Sequence, residues 1–139
     1  MADRIATFTP TTARSALERV RPAAERMCEV YRALERQRPS AVESDQAVDP
    51  KYFSLVQDLR GVLDLLDNIG VQVKDLKRGL VDFPARRAGR PVLLCWQVGE
   101  GGLGFWHDLH SGFAGRRPVD EDGPWEGEPE ALELPGSPD

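Results

Sequence analysis

Two apolar stripes constrain what this chain can fold into more than any other feature. Ala13, Leu17, Val20, Ala24, Met27, Tyr31 and Leu34 recur in alternating steps of four and three, and Leu55, Leu59, Val62, Leu66, Ile69, Val73 and Leu76 repeat the pattern further on. That spacing lays a narrow seam along one helix face, the a/d geometry of coiled-coil packing. Each stripe opens on the same signal, Thr9-Pro10 and Asp49-Pro50. In both, a side-chain oxygen can cap free amides, and proline follows where no N–H is needed. The polar, aperiodic stretch from Arg38 to Pro50 reads as the connecting loop. The two stripes therefore predict an antiparallel helical hairpin over residues 9–79, with Lys77 and Arg78 at the end of the second helix and Gly79 terminating it. Pro22 predicts a kink or restart in the first helix, because its ring clashes with the carbonyl four residues back. Tyr52, Val56 and Leu63 widen the second stripe beyond a two-helix seam, so that helix requires more than one partner surface.

Beyond Gly79 the periodicity changes. "LVDFPA" and "PVLLCWQV" flank "RRAGR", where Ala88-Gly89 can form a two-residue hairpin turn. On that register Asp82 lies opposite Cys95 and Phe83 opposite Leu94. "GEGG" turns the chain back into "LGFWHDL", giving a three-stranded β-meander over residues 80–118. A four-residue turn would set His107 on the apolar face with Phe83 and Leu94, and a three-residue turn would set it near Asp82 and Cys95. A one-residue slip exchanges the two faces, and both alternatives stay open.

Length and charge set the frame. A chain of 139 residues predicts one domain, here residues 1–118. No apolar run approaches the roughly 20 residues that span a bilayer, and the N-terminus lacks a secretory signal's apolar core. Two distant cysteines, Cys28 and Cys95, suit reduced thiols in a cytoplasm better than a disulfide scaffold. The net charge of −5 is unevenly spread: eight of the 23 acids fall in residues 120–139, which hold no Lys or Arg. Residues 119–139 are expected to form a disordered acidic tail, with Trp125 as a possible anchor to a partner or to the chain's own basic face.

Several constellations bear on chemistry. "GEGGLG" (Gly99 to Gly104) formally matches a dinucleotide fingerprint, but no helix or further strand–helix unit follows it, so it reads as a hairpin turn. Cys95 lies between Leu94 and Trp96, and reads as a small core residue rather than a nucleophile. Asp82, Glu100, His107 and His110 offer carboxylate and imidazole donors suited to a divalent metal such as Zn, Mn or Fe. Lys74, Lys77, Arg78, Arg86, Arg87, Arg90, Arg116 and Arg117 make residues 74–119 basic, the one feature pointing to nucleic acid, against an overall pI near 5.1. No complete catalytic set stands out.

The run from Val73 to Val119 resembles the domain-of-unknown-function family 2203, small bacterial and archaeal proteins. The likeness rests on GLVDFP (Gly79–Pro84), LLCW (Leu93–Trp96), GE (Gly99-Glu100), WH (Trp106-His107) and GFAGR (Gly112–Arg116), with "FTPTTARSALERVRP" similar to that family's opening. The family is uncharacterised, so the resemblance implies an architecture and a set of positions of interest and no activity. Those positions are Asp82, Phe83, Cys95, Trp96, Glu100, Trp106, His107, Gly112 and Arg116. The acidic tail lies outside the resemblance.

The sequence therefore predicts an α+β protein whose helical hairpin packs on a small meander. The leading functional expectation is a non-catalytic interaction or adaptor module, self-associating or docking a protein partner. Its recognition patch would comprise Asp82, Glu100, His107 and Arg116 with the aromatics Trp96 and Trp106. The alternative is a metal-binding protein or metal-dependent enzyme using Asp82, Glu100 and His107, with Arg116 orienting an anionic substrate.

Overall fold

The computed structural model describes residues 7–43 and 49–128. The first helix, α1 (Pro10–Glu43), starts as its sequence predicts. Thr9 and Thr12 cap one another: the Thr12 amide donates to Thr9 Oγ1 at 3.0 Å and the Thr9 amide to Thr12 Oγ1 at 2.8 Å. The helix continues unbroken through Pro22, so no restart occurs. Pro22 faces solvent, where a helix can open outward, while the adjacent Ala23 and Ala24 stay buried against the core. The expected loop from Arg38 is also shorter, since α1 runs on to Glu43.

The second helix, α2 (Pro50–Ile69), carries the expected cap, with Asp49 Oδ1 accepting from the Lys51 amide at 3.0 Å. It ends at Ile69, ten residues before Gly79, and is closed by Gly70, whose φ of 105° only glycine adopts freely. Val73 and Leu76 therefore leave the helical stripe. Val73 belongs to strand β1 (Gln72–Asp75), paired with Val81. Gly79 instead closes the turn into the next strand with φ 68°, and a Cβ there would lie 2.4 Å from Val98 Cγ2 and 2.7 Å from Cys28 Sγ.

Four further strands follow: β2 (Leu80–Arg87), β3 (Arg90–Gln97), β4 (Phe105–Asp108) and β5 (Arg117–Pro118), with a 3-10 turn (Phe113–Gly115) before the last. They form one antiparallel sheet in the order β1-β2-β3-β4-β5, five strands where the sequence predicts three. The β2–β3 hairpin has the expected register, with Asp82 opposite Cys95 and Phe83 opposite Leu94, and both turn residues, Ala88 and Gly89, at positive φ. Because Leu94 pairs with Trp106 and Leu93 with His107, the open question of face is resolved: His107 shares the face of Asp82 and Cys95.

The core lies between the helices and one face of the sheet. Val81, Phe83, Ala85, Val92, Leu94 and Trp96 meet Leu17, Val20, Ala24 and Met27 of α1 and Leu66 of α2. Phe8 stands edge-on to Phe83 at 5.2 Å and bridges its own backbone to Ala85. Residues 119–128, expected to be disordered, pack on the body: Trp125 is buried and meets Trp106 edge to face at 5.8 Å. The acids that argued for disorder find cations. Asp120 pairs with both terminal nitrogens of Arg87 at 2.8 Å, Glu121 with Arg14 at 2.8 Å and Glu126 with Arg86 at 3.2 Å. Residues 129–139 lie outside the described part.

Candidate metal centre

Strand alternation places Asp82, Leu93, Cys95, Phe105 and His107 on the sheet face that points away from the helices. Three of these side chains are both polar or ionisable and almost wholly inaccessible: Asp82 at 2%, Cys95 at 0% and His107 at 3% exposure. Each comes from a different strand, β2, β3 and β4, and one ligand atom from each lies within 4.8 Å of the others. Carboxylate oxygen, thiol sulfur and imidazole nitrogen form a donor set that can hold a divalent metal.

Local hydrogen bonding fixes how His107 presents itself. Its Nδ1 lies 2.7 Å from the backbone oxygen of Asp108, which can only accept, so Nδ1 carries a hydrogen and donates it. The opposite nitrogen, Nε2, then faces the Asp82 carboxylate at 3.3 Å and 3.4 Å. A nitrogen lone pair directed at a buried anion is unfavourable unless positive charge sits between or upon them, as a second proton or a cation. A histidine that ligates a metal is often anchored in the same way, with its other nitrogen donating to a carbonyl.

Burial, then the neighbouring Asp82 charge, pushes the Cys95 thiol up to about 12, with Arg116 opposing. At neutral pH the free thiol therefore stays protonated and is a poor nucleophile, in keeping with its full burial. A bound cation would displace that proton and convert the thiol to a ligand.

Glu100 and Arg116 are brought together, but with each other. The guanidinium donates to Oε2 at 2.7 Å and to Oε1 at 2.8 Å, and also reaches the Cys95 backbone oxygen at 3.3 Å. It is sandwiched between the Phe105 and Phe113 rings at 4.1 Å and 4.5 Å, and Arg78 covers Phe113 at 4.4 Å. Burial alone would raise the Glu100 carboxyl, but the Arg116 fork and the Gln97 amide outweigh it and hold the group below its usual range. Glu100 also fixes its own loop: the Gln97 amide donates to its side chain, while Trp96 Nε1 and Arg21 donate to its backbone oxygen at 3.2 Å each.

The ligand set expected from the sequence thus changes. Asp82 and His107 converge as donors, Glu100 is engaged by Arg116, and His110 is exposed with its amide tied to Asp108 Oδ1 at 3.0 Å. Cys95 takes the third place. Its apolar neighbours Leu94 and Trp96 point to the other face, so they carry no information about its surroundings. The signal that could have found it was the register, which already set it opposite Asp82. Of the two aromatics, Trp96 is fully buried in the core, while Trp106 lies under the guanidinium groups of Arg87 and Arg117 at 4.8 Å and 5.1 Å.

No curated protein and no solved structure matches this chain. A family model does match, over residues 6–119, which includes every strand, the Asp82–Cys95–His107 cluster and the Glu100–Arg116 pair, and stops just before the acidic segment. The chain belongs to the family described as uncharacterized conserved protein, DUF2203.

Proposed function

We propose that this is a metal-binding protein that holds one divalent transition ion between Asp82, Cys95 and His107. The observation that carries the reading is the convergence of three buried donors from three adjacent strands, with His107 Nε2 turned towards Asp82 by the bond at Nδ1. Because one donor is sulfur, the choice narrows from Zn, Mn or Fe towards Zn, whose borderline-soft character suits mixed sulfur, nitrogen and oxygen ligands. Such an ion would tie β2, β3 and β4 together and neutralise the buried Asp82 charge. Its fourth position could take the second Asp82 oxygen or a group as small as water.

Titration with Co2+ tests this, since a thiolate ligand gives the ion an intense charge-transfer absorption as well as its visible bands. One equivalent should bind with that signature, and Zn2+ should displace it. Cys95→Ser should remove the charge-transfer band, and His107→Ala should abolish tight binding, whereas His110→Ala should change neither. A folded protein with no Co2+ absorption and no metal after chelator-free purification would overturn the reading.

A second reading, self-association or partner docking through α2, is supported by its outward residues. Phe53 is 54% exposed and Leu65 49% exposed, and Val56 is only half buried. Sedimentation equilibrium up to high micromolar concentration decides it: a monomer throughout, unaffected by Phe53→Ser, would exclude a dimer through this face.

A further inference from the structure

A second site lies on the opposite, helix-facing side of the sheet, beyond the end that the helices cover. Residue pairing brings Arg87 opposite Arg90 and Trp106 opposite Arg117, and alternation turns all four side chains to one face. Together with Val92 and Asp108 they line a cleft of about 450 Å³, within the range of small-molecule sites. Three arginines thus line one concavity. Two of them are held against the Trp106 ring, which fixes where their planar forks point.

The chain already shows what kind of group satisfies this surface. Asp120 offers its two oxygens to the two terminal nitrogens of Arg87 at 2.8 Å each, the geometry in which a guanidinium reads any planar or tetrahedral oxyanion. Asp120 arrives on the segment that begins where the family match ends, and that segment is anchored by Trp125, whose ring also meets Arg87 at 4.7 Å. The segment's hold does not depend on the Asp120 carboxylate alone, because its backbone pairs with the hairpin: the Ala88 amide donates to the Pro124 oxygen and the Glu126 amide to the Arg86 oxygen, at 3.0 Å each. The carboxylate can therefore yield Arg87 to another anion while the segment stays in place.

We infer that the cleft lined by Arg87, Arg90 and Arg117 beside Trp106 binds the phosphate group of a small molecule, with Asp120 as its intramolecular competitor. Arg90 and Arg117 supply charge from two sides, Arg87 exchanges its carboxylate for a phosphate oxygen, and Val92 gives the remainder of the ligand an apolar wall. Asp108 sets a limit on what enters. Its Oδ1 is occupied by the amides of His110 and Ser111 at 3.0 Å and 2.8 Å, so it contributes negative charge at one rim and disfavours an anion that fills the whole cleft. This inference is independent of the metal reading, since none of the three arginines belongs to the Asp82–Cys95–His107 cluster.

The experiment is calorimetric titration of the full chain at low salt with pyrophosphate, with ADP and, separately, with a single-stranded RNA oligonucleotide, read in parallel by tryptophan fluorescence. Arg117→Gln and Arg90→Gln should each weaken phosphate binding by about tenfold, as expected for loss of a charge-assisted contact. Asp120→Asn should strengthen it by about threefold, because the competing carboxylate is gone. This change of opposite sign separates a ligand site from a structural role, since all three substitutions alter an ion-pair region without enlarging or emptying the core. Equal affinity for pyrophosphate and ADP would identify the free anion as the ligand, and tighter binding of ADP would identify a nucleotide. Either result supports the site. Dissociation constants above about 1 mM for both, the same affinity in all three variants, or binding confined to RNA would overturn it.

Discussion

The middle of the sheet is buried on both faces, by opposite means. Towards the helices, Val81, Phe83, Leu94 and Trp96 meet other hydrocarbon, and exclusion of water is itself the stabilising term. On the far face, Asp82, Cys95 and His107 are equally dry, with a single 3-10 turn and the stacked Phe105, Arg116 and Phe113 beside them. Burying a carboxylate next to an imidazole is costly unless charge and hydrogen bonds are matched. A fold that needed only stability could place leucine at all three positions. The contrast teaches that the far face carries groups that stability alone does not call for.

The sharpest way to break that comparison is to damage each face in turn. Phe83→Ala should cost about 3–5 kcal/mol in denaturant unfolding, unchanged by chelator, because it removes only packing. The far face should behave in the opposite way, its stability following the metal. Zn2+ at 1,000 times its dissociation constant should add about 4 kcal/mol to the wild type and nothing to His107→Ala. A Phe83→Ala loss that depended on metal, or a far face indifferent to it, would erase the distinction.

A smaller effect sharpens it within the far face. Glu100→Gln leaves the Arg116 charge poorly paired and should cost about 2 kcal/mol at pH 7. In the folded chain the Glu100 carboxyl is held below the 4.5 usual for a glutamate, so its contribution is full above that value and is lost as pH falls through the lower folded one. Unfolding curves of wild type and Glu100→Gln should therefore differ by a constant amount from pH 8 to about pH 5 and converge below it. A gap that persisted unchanged to strongly acidic pH would show that shape, not charge, is what Glu100 supplies.

Much of this was legible beforehand, for reasons that differ by element. The caps at Thr9 and Asp49 and the Ala88-Gly89 turn could be read because each rests on local chemistry. The end of α2 could not: Ile69, Val71 and Val73 satisfy a strand's alternation, while Ile69 and Val73 also continue the helical stripe. Gly70 was the deciding residue, and an isolated glycine does not announce its own φ. Strand β5 is two residues long and exists through its pairing with β4, which no local pattern encodes. In the candidate site, Asp82 and His107 stood out as polar residues in apolar strands, but Cys95 was concealed by neighbours belonging to the other face. The acidic segment misled in a further way. Unbalanced charge means disorder only when its partners are absent, and here Arg14, Arg86 and Arg87 wait on the folded body.

The outer edge of β2 has one more consequence. It is shared by three partners in succession: β1 along Leu80–Asp82, Phe8 beside Ala85, and Trp125 beside Arg87. Two of these come from opposite ends of the described chain. During synthesis, β2 is made well before residues 124–126, so for that interval part of its hydrogen-bonding edge lies open to other nascent chains. The acidic segment closes that part of the edge last, being the latest of the three partners to be made.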